Sequence, residues 1–287
     1  MRYAFIRSNE EHFGLARMCE VFGVSRSGYY EWRNRAPSAR AARDEVLIGH
    51  IGRVHRGSHE AYGAKKTWVE LNAQGISCGK HRVARLRRSA GIEARRKRHF
   101  RRQERHRHTA PAAPNLLRPS VQAPGRDRIW VGDTTFIQTR AGFVYLAVLL
   151  DLYARRVVGW AVGQRHDLQL VLGALHMALR QRQPAAGLIH HSDQGSIYAA
   201  KLYREALQLH GLRASMTSRG APRENAAAES FFSTLKNELV HHCSFVTRDS
   251  AVKALSEYIE LFYNRRRRHQ ALGYVSPVDF EVRNGVS

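Results

Sequence analysis

Two hydrophobic periodicities divide this chain. In the first part the spacing is helical. Leu15, Met18, Cys19 and Phe22 fall on one face, and Gly23 follows where a left-handed C-terminal residue is wanted. Ser25 fits as the N-cap of a second helix running through Tyr29, Tyr30 and Trp32. This pattern predicts a helix–turn–helix. A second one is predicted further on. Trp68, Leu71 and Asn72 end at Gly75, and a helix from near Lys80 carries Val83, Leu86 and Ala90 to a stop at Gly91.

Beyond residue 110 the period changes to two. In an extended chain Ile129, Val131, Asp133, Thr135 and Ile137 point one way, and Trp130, Gly132, Thr134 and Phe136 the other. Arg140-Ala141-Gly142 offers a turn, Phe143 to Leu150 an apolar strand, Asp151 to Arg155 another turn, and Arg156 to Val162 a third strand. Such short connections imply an antiparallel meander. Asp167 can cap a helix from Leu168 to about Arg182, with Leu168, Val171, Leu172, Leu175 and Leu179 on its buried side. A strand from Gly187 to His191, a helix from Ala199 to about His210 and a strand from Leu212 to Met216 complete the run. Three antiparallel strands, then helix, strand, helix and strand, describe an α/β fold with an RNase H-like core: a mixed sheet flanked by helices, preceded by the helix–turn–helix region. The expected domains are a basic helical DNA-binding region at 1–110, a linker at 111–124, the catalytic core at 125–240 and a C-terminal helical extension at 241–287.

Charge then narrows the class of partner. Forty-seven Lys and Arg face twenty-four Asp and Glu in 287 residues, a formal charge of +23. A globular chain this basic points to a polyanion, because neutralising phosphates releases condensed counterions. The excess is concentrated. Lys80, Arg82, Arg85, Arg87 and Arg88 lie on the expected exposed side of the second helix–turn–helix, and the run continues through Arg95, Arg96, Lys97 and Arg98. An ordinary solvated face mixes signs, so Lys80, Arg82, Arg85, Arg88, Arg95, Arg96 and Arg98 are the expected DNA contacts. No apolar run is long enough to span a bilayer, and the N-terminus lacks the apolar stretch of a signal peptide. Cys19, Cys78 and Cys243 form no CxxC pair, which disfavours a disulfide framework or cysteine zinc site. The expectation is a cytoplasmic, non-membrane protein.

Three carboxylates stand out. Asp133 lies within an apolar strand, where a carboxylate is costly unless paired or ligating a cation. Asp193 directly follows a strand, where α/β sheets place ligands. Glu229 lies early in the helix after Asn225, with thirty-five residues between it and Asp193. On that helix Ala228, Phe231, Phe232, Leu235 and Leu239 form an apolar stripe, and Glu229, Ser233 and Lys236 adjoin it. Seven residues separate Glu229 from Lys236, leaving them about 20° apart around the axis. Lys236 is therefore an expected phosphate contact, whereas Glu238 points away. Hard cations such as Mg²⁺ favour oxygen ligands. A pair of them about 4 Å apart activates a phosphodiester for attack. Other residues receive quieter roles: Asp151 a turn, His190 and His191 packing or solvent, Tyr258, Ile259, Phe262 and Tyr263 helical core, and Arg265 to Arg268 a contact with DNA or an acidic surface.

Longer motifs now accumulate. They are Val24-Ser25-Arg26-Ser27-Gly28-Tyr29-Tyr30-Glu31-Trp32, Trp130-Val131-Gly132-Asp133-Thr134-Thr135, His191-Ser192-Asp193-Gln194-Gly195, and Asn225-Ala226-Ala227-Ala228-Glu229-Ser230-Phe231-Phe232. Leu235-Lys236-Asn237-Glu238 follows, and then a C-terminal signature of Tyr263-Asn264-Arg265-Arg266-Arg267-Arg268-His269, Leu272-Gly273-Tyr274, Ser276-Pro277 and Phe280. Almost end to end, the chain resembles the OrfB transposases of the IS-three group of insertion sequences, whose core is similar to that of retroviral integrases. The resemblance implies that the family's two aspartates and glutamate correspond to Asp133, Asp193 and Glu229. By the same resemblance these would be the catalytic and metal-binding residues, with two Mg²⁺ ions per site or Mn²⁺ in their place. It implies binding to terminal inverted repeats, strand cleavage to free a 3′-hydroxyl, and transfer of that end to target DNA. It also implies an OrfA partner or fusion upstream. Glu224 stands where the family commonly has Asp, off the catalytic spacing, and reads as a loop or capping residue. Joining two DNA ends in one complex implies at least a homodimer. The competing readings are a catalytically inactive DNA-binding regulator and an RNase H-like nuclease.

Overall fold

Ser25 and Gly23 fold the first unit as their positions suggest. Two units, Met1–His50 and Ile51–Ser287, make up the chain, and the computed structural model describes residues 1–36, 38–95, 113–117, 123–218 and 225–285. In the first unit α1 (Arg2–Ser8), α2 (Leu15–Val21) and α3 (Arg26–Asn34) surround Ile6, Met18, Cys19 and Tyr29. Gly23 has φ 61° and Ser25 Oγ accepts from Gly28 N at 3.0 Å, so the turn and the N-cap form as expected. Helix α1 was not foreseen. It buries only Ile6, which leaves no periodic signal. Helix α4 (Ala39–Gly57), also unforeseen, carries the chain out of the first unit.

The second unit begins with the other helix–turn–helix. Helices α5 (Ala64–Ala73) and α6 (Lys80–Ser89) end at Gly75 and Gly91, with φ of 79° and 64°. Arg87 departs from expectation. It is buried, not exposed, and donates to Thr67 Oγ1 at 2.9 Å. Its aliphatic stem joins the apolar side of α6, as long cationic side chains can.

The sheet follows the expected meander. Strands β1 (Ile129–Thr139), β2 (Gly142–Asp151) and β3 (Val157–Gly163) pair antiparallel, and α7 (Leu168–Arg182) begins at its Asp167 cap. Next come β4 (Ile189–Ser192), α8 (Ser196–Ala199), α9 (Lys201–Leu209) and β5 (Arg213–Met216). The spatial order is β3-β2-β1-β4-β5, with β4 parallel to β1 and β5 parallel to β4. The helix expected from Ala199 begins instead at Lys201, after Ala200, which is extended at ψ 139°, and the unforeseen short α8 precedes it. Trp130, Ala147, Leu149 and Val158 pack with Val171, Ala174, Leu175 and Ala178 of α7 and with Tyr198 and Tyr203. Gly159 permits that approach, since a Cβ there would strike the carbonyl oxygen of Ala174 and the Ala178 side chain. Residues of the other parity, including Val131, Ile137, Leu146 and Val148, are buried too, where α10 (Ala226–Glu238) and α11 (Arg248–Ser256) contact β1 and β2. Helix α11 passes into a wider π turn at Glu257–Tyr263, and α12 (Pro277–Arg283) ends the described chain. Tyr258, Ile259, Phe262 and Tyr263 are buried there, as core residues should be. This is the RNase H-like α/β arrangement, with helices preceding the sheet. Of the segment expected to be a linker, Ala113–Leu117 runs beside β5, with Leu116 N donating to Ser215 Oγ at 2.9 Å.

Asp151 is not a turn residue. It is fully buried as the last residue of β2, with Oδ2 3.8 Å from Arg182 Nη2. Arg182 also donates to Asp127 at 2.9 Å and forks onto Glu281 at 2.7 and 3.0 Å, while Arg156 reaches Glu281 at 2.6 Å. Burial, reinforced by Asp127 and opposed by Arg182, pushes the Asp151 carboxyl up to about 7.

Candidate active site

The parallel pairing of β1 with β4 sets up the site. Ile129, Trp130 and Val131 pair with Ile189, His190 and His191. Asp133 lies two residues past Val131 and Asp193 two past His191, so the register carries both toward the C-terminal side of adjacent parallel strands. Asp133 is only 4% exposed, and its Oδ1 accepts from Thr134 N at 2.8 Å. Asp193 is half-buried, and its Oδ1 accepts from Gly195 N at 3.0 Å. Gln194 holds the same loop by donating to the Thr217 carbonyl at 2.8 Å. Gly132 is required beside the site, because a Cβ would lie 3.0 Å from both His190 Nε2 and Leu149 Cδ2. The two histidines are packing residues, as expected. His190 meets the Tyr203 hydroxyl at 3.0 Å and His191 meets Ser215 Oγ at 2.9 Å. Burial, reinforced by His191, lowers His190 to about 3, so this imidazole stays neutral.

Glu229 comes from α10. Asn225 precedes that helix but makes no side-chain cap. Its amide instead donates to the Gly132 carbonyl at 3.2 Å, tying the start of α10 to the residue before Asp133. This positioning role was missed: the sequence showed only that Asn225 precedes the helix. One turn on, Glu229 is half-buried beside the buried Ala228, Phe231, Phe232 and Leu235. Lys236 is also half-buried, with Nζ 5.5 Å from the centre of the Phe136 ring. Burial lowers its pKa and the Asp133 charge opposes that shift, which places the ammonium within the field of the carboxylate. Glu238 faces elsewhere. It is buried against the Arg267 guanidinium at 2.7 Å and the Tyr258 hydroxyl at 2.8 Å.

Asn225 thus ties the start of α10 to the strand that carries Asp133, and Asp193 follows the adjacent parallel strand. Among the described residues, no group of three or more His, Cys, Asp or Glu is arranged to hold a metal ion.

Residues 123–222 match a family described as Integrase core domain, residues 210–277 match another of the same description, and residues 42–100 match an HTH-like domain. The chain is 45% identical over 263 residues to the insertion element IS600 uncharacterized 31 kDa protein of Shigella sonnei, covering 92% of this chain and 97% of that one. It is 37% identical over 290 residues to transposase InsF for insertion sequence IS3A of Escherichia coli (strain K12), covering 99% of each. The chain belongs to the IS3 family of insertion-sequence transposases. Among solved structures it is similar to a chain of the simian T-cell lymphotropic virus intasome, at 14% identity and a TM-score of 0.48, covering 80% of this chain and 73% of that one.

An IS3-family transposase binds DNA through such domains, and the integrase core is a metal-dependent catalytic domain. Its basic residues are placed unevenly. Lys80, Arg85 and Arg88 are exposed on α6, and Arg82 is half-buried. Arg95 pairs with Glu60 at 3.2 Å and donates to the Glu238 carbonyl at 3.4 Å. Arg96, Arg98 and Glu224 lie outside the described residues. Of the C-terminal arginines, Arg267 binds Glu238 and Arg268 binds Glu70 at 2.7 Å, so their acidic partners are internal. Among the described residues, no helix is long and apolar enough to cross a membrane.

Proposed function

We propose that this transposase cleaves and transfers DNA strands at the ends of its insertion sequence through Asp133, Asp193 and Glu229. The observation that carries this reading is the β1–β4 register, which sets Asp133 and Asp193 each two residues beyond the paired Val131 and His191, with α10 tied to Gly132 by Asn225. The donor chemistry fits Mg²⁺, or Mn²⁺ in its place. All three candidates offer carboxylate oxygens, and the nearby imidazoles of His190 and His191 are buried against Tyr203 and Ser215. Asp133, Asp193 and Glu229 would hold the ions. The bound ions would supply an activated hydroxyl and stabilise the leaving oxygen.

The chain's own groups do the rest. Lys236 takes a phosphate oxygen of the reacting strand. Thr134 N and Gly195 N hold the two aspartates in orientation. Lys80, Arg82, Arg85, Arg88, Arg95, Arg96 and Arg98 bind the terminal repeat and set the register of the duplex. Two ends must meet, so the working unit is at least a dimer, acting with an OrfA partner or as a fusion with it, in the bacterial cytoplasm at the nucleoid. The test is to incubate purified protein with its own element DNA and Mg²⁺ and to map nicks and joined products. Wild-type protein nicks at the element ends and joins them. Joining retained by Glu229→Ala would overturn the assignment.

A further inference from the structure

Two large apolar rings are exposed on the face of β1 and β2 opposite to Asp133, one of them under Lys236. Phe136 is 47% exposed and Phe143 46%, and they meet edge to face with centroids 5.4 Å apart. Strand register explains the pair. Phe136 is opposite Tyr145 and Gln138 opposite Phe143, so Phe136, Phe143 and Tyr145 share one face of the hairpin. The face continues. His166 stacks on Tyr145 at 5.6 Å and 19°, and its Nε2 lies 2.8 Å from the hydroxyl of Thr134, the residue after Asp133.

Cations stand at both ends of this aromatic strip. Lys236 lies over Phe136 at one end. At the other, Arg140 is exposed at the hairpin turn, and Arg248 bonds Gln164 at 3.1 Å and reaches Gly142. The described part of β4 pairs with β1 only as far as Val131, so β4 does not cover the β1 edge between Asp133 and Phe136. Exposed aromatics on a sheet, interleaved with cations, suit a ligand that is flat, apolar on its faces and joined to phosphates. An unpaired nucleotide has that chemistry, and stacking on a ring accepts any base.

We propose that Phe136 and Phe143, extended by Tyr145 and His166, form a stacking platform for unpaired bases of the DNA end whose phosphate Lys236 holds. This inference rests on the site assignment above and adds a surface to it. Bases displaced from the duplex near the scissile phosphate lie on the rings, which lowers the cost of opening the end. The Lys236 ammonium leaves the Phe136 ring for the phosphate, and the ring face becomes available to the base.

The test is equilibrium binding in EDTA, where no cleavage occurs. The probes are duplexes of the element's own end, one fully paired and one with its terminal pairs mismatched. Wild-type protein is expected to prefer the mismatched end. Phe136→Ala and Phe143→Ala each lose about tenfold of that preference, while affinity for the paired duplex, which α6 supplies, shows that the variants fold. Phe136→Trp keeps the preference. A wild-type protein without the preference, or a Phe136→Ala, Phe143→Ala double variant that retains it, overturns the proposal. So does a changed oligomeric state at unchanged preference, which would make the face a protein interface. Asp133→Asn separates the two readings: it stops cleavage but keeps the preference. If Asp133→Asn still cuts, the triad falls and the platform stands.

Discussion

Asp127, Asp151 and Glu281 gather at the N-terminal end of β1 around Arg182, with Arg156 behind Glu281. Asp133 and Asp193 lie toward the opposite end of the parallel β1–β4 pair, and Glu229 follows Asn225, which is tied to Gly132. Each region contains three acids, but their surroundings differ. In the first, Glu281 is held by two guanidinium groups, and Asp151 is buried deeply enough to titrate near 7. In the second, Asp193 and Glu229 stay half-exposed, backbone N–H groups orient the aspartates, and the neighbouring cation is a lysine on a flexible stem. Three acids together therefore do not define an active site. Arginine forks convert acids into structural cement. Asp193, half-buried just beyond a parallel strand, stands where α/β sheets place ligands.

That contrast can be broken by substitution. The largest effect is expected at the open set. Asp133→Asn, Asp193→Asn and Glu229→Gln should each lower cleavage and strand transfer by at least about 1,000-fold, or about 4 kcal/mol of transition-state stabilisation. Binding of terminal DNA in a gel-shift assay should be nearly unchanged. At the closed set the loss should appear in stability instead. Arg182→Met leaves buried carboxylates without their shared cation and should cost about 3–5 kcal/mol in urea unfolding. If it impaired joining per folded molecule as severely as Asp133→Asn, the division into a structural and a chemical set would fail.

Smaller effects sharpen the comparison. Lys236→Ala should weaken reaction on DNA about tenfold, in line with a charged hydrogen bond worth about 1.5–3 kcal/mol, with Lys236→Arg recovering part of it. A Lys236→Ala protein with wild-type joining kinetics would remove that residue from the site. The smallest effect is a pH signature. Asp151 titrates near 7 when folded and near 4 when unfolded. Between those values the folded chain holds a proton that the unfolded chain has lost, so stability falls as pH rises through the window. Asp151→Asn should flatten the slope, with its gain greatest above pH 7 and almost none below about pH 4. Thermal unfolding across pH reads this directly, and parallel profiles for the two proteins would argue against a buried, protonated Asp151.

Much of the fold could be read from local pattern because its signals are short-range. Gly23, Gly75 and Gly91 end helices with positive φ, and Ser25 and Asp167 cap helices through bonds spanning three residues. The β1–β2–β3 meander follows from period-two alternation and tight turns. The candidate acids were also legible, since Asp133 interrupts an apolar strand and Glu229 and Lys236 share a helix stripe. Arg87 and Asp151 were misread for one reason. Each is a charge buried by a partner remote in sequence: Thr67 for Arg87, and Arg182 with Asp127 for Asp151. Periodicity cannot show such partners. Nor could it show that Asn225 would leave its helix uncapped to hold Gly132, ninety-three residues away.

The sequence by itself determined the elements, the excess of positive charge and the three acids, because hydrophobic period, capping and composition are properties of neighbouring residues. Only the tertiary structure decided which acids are closed off by arginine. It also decided that Phe136 and Phe143 stay at the surface beside Lys236. Burial and charge pairing are set by residues that meet only when β1 lies between β2 and β4, and no local pattern encodes that meeting.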